Sequence, residues 1–401
     1  MINPLPVVVA ELRRSRAGAI AMIGLIAVAA ALGVAVSAQE RALRQGSARA
    51  ADQFDLLIGR RGSPTQLVLA SVYLQSDAID LVSGETLGRL QSESGVARVV
   101  PLIFGDSYRG RPVVGASADF VTDGGRRPLA EGRVFAAMRE VVIGADMPLR
   151  IGDSITSNHG HTDDEGLIHT GFDYIVVGRM RPFGTPWDRA IVAPVEALWR
   201  IHARPTGHDR GVDRIGPPWK ADELSGASVI VVTPRSVADA YRLRSKYRDG
   251  DTMAVFPGEV LVELYGMLGD ARRLLSVFAL VTQALVIAAL LLAVVAVEAQ
   301  RRRQLGILRA LGASRAYIFS AVWLHVTLLV ATGAFFGLLV GWLGAWGISR
   351  ALAVRTGLSL SVAIARPELA LIIGLIVIGA AFAILPAWRS YRRPASVSLR
   401  S

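Results

Sequence analysis

Cysteine is absent from all 401 residues, so any exported part of this chain must be held together by its core and not by disulfides. Lysine is nearly absent too. Of 44 basic residues only Lys220 and Lys246 are lysines, and neither lies in a G-x-x-x-x-G-K-[ST] phosphate loop, so the chain should not hydrolyse ATP by itself. There is no G-x-S-x-G nucleophile elbow and no H-E-x-x-H zinc motif. Residues 39–272 show no internal repeat or low-complexity tract.

What the chain does have is apolar sequence gathered into runs. Residues are 52% hydrophobic, and the runs 17–38, 274–297, 319–345 and 369–385 contain no Asp, Glu, Lys or Arg. A membrane span needs about 20 such residues, so three runs qualify outright and the fourth is at the short end. The first follows Arg13, Arg14 and Arg16, as a signal peptide would. It exceeds the usual apolar core of about 7–15 residues, which favours a retained anchor.

The net charge of +11 is not a nucleic-acid signal, because of where it lies. Between Gln39 and Arg272 there are 28 basic and 30 acidic residues, a net of −2. Segments 1–16, 298–315 and 386–401 hold 12 basic residues, against Arg273, Arg350, Arg355 and Arg366 at the opposite ends of the runs. The positive-inside rule then puts both termini and the 298–315 loop in the cytoplasm and residues 39–272 outside.

Residues 39–272 read as a mixed α/β domain. Polar, Ala-rich sequence over 40–51 extends the first span outward. Strands are expected at 96–103, 141–143, 174–177, 190–192 and 228–232, rich in β-branched residues and bounded by Gly, Asp or Pro. Helical spacing occupies 83–92, 195–201 and 237–247, and 204–218, with three prolines and three glycines, reads as a surface loop. The stretch SNHGHTDDEGLIHTGFD offers His159, His161, His169, Asp163, Asp164 and Glu165 as candidate ligands for Zn²⁺. The competing reading is a solvated loop, since no cysteine fixes a geometry. Five of the six histidines, including His202 and His208, lie between 159 and 208.

In the third run Gly333, Gly337 and Gly341 recur every four residues, which lets another helix approach closely, either within one subunit or at a dimer interface. His325 lies in the same run, where a titratable group is either functional or hydrogen-bonded to a neighbouring helix. Between the second and third runs stands RRRQLGILRALGASRAYIF. Leu305, Ile307, Leu308 and Leu311 make one apolar helical face opposite Arg302 and Arg309, Gly312 is suited to stop that helix, and Ser314 to cap the next.

This segment resembles the signature of the FtsX-like permease superfamily of ABC transporters, R-x-R-E-I-G-I-L-R-A-L-G-A-[ST], with Gln304 and Leu305 in place of the common Glu and Ile. PAWRSYRRPASVSLR resembles the family's C-terminal ending, and VVIGADMPLRIGDSI followed by YIVVGRM its exported strands. The resemblance implies an α-helical membrane protein with four transmembrane helices and a large α/β extracytoplasmic domain inserted between the first and second. Its parts would be 1–38 (N-terminus and first span), 39–272 (MacB-like periplasmic domain with stalk helices) and 273–401 (permease domain). The last would hold spans 274–297, 319–345 and 369–385, a coupling helix at about 303–312 and a cytoplasmic tail.

The implied function is that of an ABC transporter permease in a bacterial cytoplasmic (inner) membrane, not an enzyme. A separate cytoplasmic ABC ATPase would bind ATP and Mg²⁺ and dock on Arg303, Gly306, Ile307, Leu308, Arg309, Ala310, Leu311 and Gly312. A homodimer or a pairing with a similar permease is implied, as are contacts with lipids and a periplasmic adaptor or lipoprotein, but no nucleic acid. Some relatives carry a histidine-rich loop where 159–169 lies here, which adds to the zinc reading. Two alternatives stand beside export or extraction of a substrate: a mechanotransmitting regulator of a partner such as a cell-wall hydrolase, and a membrane-anchored enzyme.

Overall fold

The computed structural model describes residues 3–75, 79–160, 168–209, 211–266 and 312–392, with isolated positions between 277 and 308. Most of the run 274–297 and most of the segment 303–312 therefore lie outside the described residues, and with them the assignment of a second span. The chain divides into two compact units. One comprises Met1–Leu43, Leu268–Ala351 and Ser361–Ser401. The other comprises Arg44–Met267 and Leu352–Leu360.

The second unit is built on a ten-stranded sheet. Its strands are β1 (Leu56–Arg60), β2 (Val96–Tyr108), β3 (Arg111–Ala116), β4 (Glu131–Gly132), β5 (Glu140–Ile143), β6 (Ser154–His159), β7 (Ile168–Arg179), β8 (Ile191–Pro194), β9 (Val229–Pro234) and β10 (Thr252–Val255). The order runs β10-β1-β9-β2-β3-β8-β5-β7-β4, with β6 bridging β2 and β7. Pairs β3–β8 and β5–β7 are parallel and the others antiparallel.

Both faces of this sheet are covered over β5, β8 and β9, which explains why those strands read as unbroken apolar runs and not as an alternation. In β9, Ile230 and Val232 enter one core while Val229 and Val231 enter the other. β5 divides the same way, Val141 and Ile143 against Val142. Helices α4 (Gly84–Gln91), α6 (Val195–Ile201) and α7 (Val237–Tyr247) cover the first face through Leu87, Leu90, Leu198 and Leu243. The opposite face takes α3 (Pro64–Tyr73), the short α5 (Ala118–Val121) and the cluster of Phe54, Phe120 and Trp187, whose rings lie 4.6–6.2 Å apart. Ser63, Ser83 and Ser236 each accept a backbone N–H at the start of α3, α4 and α7, as helix N-caps do.

The first unit contains α1 (Leu5–Arg14), most of α2 (Arg16–Ala51), most of α8 (Arg315–Thr356), α9 (Arg366–Phe382) and α10 (Ile384–Arg392). Among the described residues three helices are long and apolar enough to cross a membrane, beginning at Arg16, Arg315 and Arg366. Their 36, 42 and 23 residues compare with the about 20 that a span requires. They pack through small residues. An added side chain at Gly333 would meet Ile26, at Gly337 Ala30, and at Gly341 Ala31, while Gly379 of α9 faces Val330 of α8. The Trp323 indole donates to the Ala380 carbonyl at 2.9 Å.

One charged cluster here has a fully buried carboxylate. Glu368, with no exposed surface, accepts both contacts of the Arg41 Nη1 at 2.6 and 2.7 Å, the Ser37 hydroxyl at 2.7 Å and the Ala365 N–H of its own helix at 2.9 Å. Every lone pair of the carboxylate is thus engaged, which makes an ionised side chain tolerable at such a position.

Candidate functional site

The densest chemistry among the described residues lies where β2 runs past its apolar stretch. Ile103 pairs with Gly115 of β3. The register then shifts before Asp106, across Gly105 at a φ of 130°, a conformation side-chain-bearing residues rarely adopt. That shift brings Asp106 opposite His159 of β6. Asn158 in turn pairs with Ile168 of β7, so His169 begins the next strand beside them. His202 comes from a third direction, as the residue that caps α6, which packs on β2 and β3.

These four side chains converge. The Asp106 carboxylate lies 3.1 Å from the His202 Nε2, 3.4 Å from the His169 Nε2 and 3.4 Å from the His159 Nδ1. One nitrogen or oxygen from each falls within 4.8 Å of the others. The Asp106 side chain has no exposed surface, whereas His169, His202 and His159 are 17%, 25% and 55% exposed, so the carboxylate forms the floor and the imidazoles the rim. The rings meet edge to face, with centroids 5.0, 5.1 and 6.1 Å apart. Burial pushes the Asp106 carboxyl up, but the His202 hydrogen bond and the His202 and His169 imidazoles outweigh it and hold the carboxyl below its ordinary range. Its Oδ2 is buried and has no hydrogen-bond partner among the described residues.

Of the ligands expected from the sequence, His159 and His169 belong to this cluster. His161, Asp163, Asp164 and Glu165 lie outside the described residues. Among the described residues the carboxylate of the cluster is that of Asp106, which sequence reasoning passed over. The available signal was an acidic residue directly after a strand-forming run and a glycine. His208 is not part of the group. Its Nε2 lies 3.9 Å from Glu196, a carboxylate that accepts from the Trp219 indole at 2.6 Å and the Gly216 N–H at 2.7 Å.

The remaining candidate positions fall in the first unit. Gly333, Gly337 and Gly341 pack against α2 of the same chain, so this face is filled from within the subunit. His325 has its Nδ1 3.8 Å from a carboxylate oxygen of Glu11 in α1. In the segment preceding α8, Ile307 and Leu308 are helical and Gly312 has a φ of 97°. The Ala313 N–H donates to the Leu308 carbonyl at 3.0 Å, the six-to-one bond of a glycine-terminated helix. Ser314 then accepts the Tyr317 N–H at 3.2 Å, capping α8. Arg303, Gly306, Arg309, Ala310 and Leu311 lie outside the described residues.

Two family models match, and together they span most of the chain. Residues 19–256 match the MacB-like periplasmic core domain and residues 276–395 the FtsX-like permease C-terminal domain. Among solved structures, the periplasmic region of MacB from Actinobacillus actinomycetemcomitans aligns at 11% identity over 53% of this chain and 94% of that one, with a TM-score of 0.33. The extracellular domain of the noncanonic ABC-type transporter YknZ from Gram-positive bacteria aligns at 13% identity over 50% of this chain and 98% of that one, with a TM-score of 0.28. A comparison with curated proteins gives no match.

Proposed function

Because this chain belongs to the FtsX-like permease family with a MacB-type core domain, we propose that it is the transmembrane subunit of an ABC-type transporter. In this reading a separate cytoplasmic ATPase hydrolyses ATP, and the permease converts that cycle into movement of its extracytoplasmic domain for export or extraction of a substrate. The observation that carries it is the presence of both family domains in one chain with no phosphate loop. The permease supplies a two-state element that the nucleotide state of its partner biases.

The arginine distribution supports a cytoplasmic position for the 298–315 segment and an outward position for residues 39–272. The coupling element would be the short helix that ends at Gly312. Only Ala313 separates the turn at Gly312 from the cap at Ser314, so a push on the segment before Gly312 would meet little slack before reaching α8. A dimer of this permease, or a pair with a similar chain, would give the two nucleotide-binding subunits one docking helix each.

The test is stimulation of the partner ATPase by the reconstituted permease. Replacing Leu308 and Leu311 by Asp puts two charges on the apolar face and should abolish stimulation while membrane insertion is kept. Full stimulation by the inserted double variant would remove the coupling assignment.

A further inference from the structure

We propose that Asp106, His159, His169 and His202 form a closed four-ligand site for a divalent transition-metal ion, with Zn²⁺ as the ion that fits best. Nothing in this assignment depends on the ATPase or on transport.

The first argument is spacing. Ligands held about 2.0–2.1 Å from Zn²⁺ in a tetrahedron stand about 3.3–3.4 Å from one another. The Asp106 carboxylate stands 3.1, 3.4 and 3.4 Å from the three imidazole nitrogens. Hydrogen bonding alone accounts for the His202 contact and, at its outer limit, for the His169 contact, but it leaves the buried Oδ2 unserved. A central cation engages the carboxylate and all three rings.

The second argument is donor chemistry. Ca²⁺ and Mg²⁺ require oxygen ligands, and this set has one carboxylate to three imidazoles. Soft ions favour thiolate or thioether, and none is present in the cluster. Three nitrogens and one oxygen, all within 4.8 Å of one another, are the donor set that suits Zn²⁺.

The third argument is support. Asp106, His159 and His169 sit on hydrogen-bonded strands of one sheet, and His202 is fixed by the end of a helix packed on it. Ligands on such a frame are already organised before an ion arrives. With four protein ligands the tetrahedron is complete and has no open position for a substrate or an activated water, which marks the site as structural and not hydrolytic. The ion would join β2 to α6 across 96 residues of sequence, and pin the β6–β7 pair to the same point. In a chain without cysteine this is a cross-link made by other means.

The experiment uses the full-length protein in detergent, washed with chelator and then titrated with Zn²⁺ against a competing chromogenic chelator, with Co²⁺ as the spectroscopic probe. One equivalent of Zn²⁺ per chain, intense visible bands of tetrahedral Co²⁺ and a higher unfolding temperature with Zn²⁺ are expected. Asp106→Asn and His202→Gln should each lower affinity at least about tenfold and abolish the tetrahedral bands, while His208→Gln should retain both. Should Asp106→Asn fail to fold, His202→Gln, altering a residue at the rim, carries the test. Its unfolding in chelator must match the unaltered chain. The proposal is overturned by the absence of a chelator-competing equivalent, by the weak bands of octahedral Co²⁺, or by unchanged binding when His159, His169 and His202 are all replaced by Gln.

Discussion

Replacing Gly337 by alanine adds a single methyl group, and the structure indicates what that methyl would strike. It would lie 2.5 Å from the Ala30 Cβ, 2.8 Å from the Ala27 carbonyl oxygen and 3.2 Å from the Ala31 nitrogen. Ordinary carbon–carbon contact is about 3.5–4.0 Å, so α2 and α8 must part locally by about 1 Å. No rotamer relieves this, since the obstacles are backbone atoms and a Cβ. Overpacking of this kind costs about 1–3 kcal/mol. The same substitution also gains about 0.5–1 kcal/mol of helix propensity, which would mask part of the loss. Gly344, in the same helix, has nothing within 4 Å of an added Cβ. Gly344→Ala therefore carries the propensity gain without the clash, and the difference between the two variants isolates the helix contact at about 1–3 kcal/mol. The assay is unfolding of the purified full-length protein by SDS titration, followed through tryptophan fluorescence. Gly337→Ala should unfold at lower SDS than Gly344→Ala. Coincident transitions would refute the claim that this stripe is the close-contact face of α8.

Two further outcomes are expected. Burial pushes the Glu196 carboxyl above its usual range, so its folded form holds a proton more readily than its unfolded form. The stability this contributes is fully present below the ordinary value of about 4.3 and is lost as pH rises through the raised one. Glu196→Gln keeps an oxygen acceptor for Trp219 and Gly216 and should flatten the decline in unfolding temperature from acid toward neutral pH; equal pH slopes for the two proteins would contradict this. Separately, a reporter inserted at residue 150, in an exposed turn, should be active on the outer side of the membrane, and cytoplasmic activity there would overturn the topology.

The parts of the fold that could be read from the sequence are those buried on both sides. Residues 141–143 and 229–232 announce themselves because each side chain of the run enters one core or the other. β6, with the sequence SITSNH, does not. It is a strand because β2 and β7 pair with it, and no apolar pattern marks it. The expected strand at 174–177 is only the inner end of β7, whose outer half, beginning at Ile168, is largely solvent-facing. The candidate metal site stands on these polar extensions. The local density of histidine was visible from the sequence, but the floor of the site was not, because Asp106 and His202 are joined to the other ligands only by the bulge after Ile103 and by the end of α6. The stop at Gly312 and start at Ser314 were legible because capping is local chemistry, written within a few residues.

The buried Glu368 cluster has a consequence for how this sequence can drift. Ser37, Arg41 and Glu368 act as one chemical unit although more than 320 positions separate the first two from the third. Exchanging Glu368 alone for an apolar residue strands a guanidinium in a nearly closed site, and exchanging Arg41 alone strands a carboxylate, so either single step meets a penalty that the joint change avoids. Among related permeases, columns 37, 41 and 368 should therefore vary together or not at all. That linkage would tie the first and last described membrane helices in the sequence record, even where little else in those helices is constrained beyond being apolar.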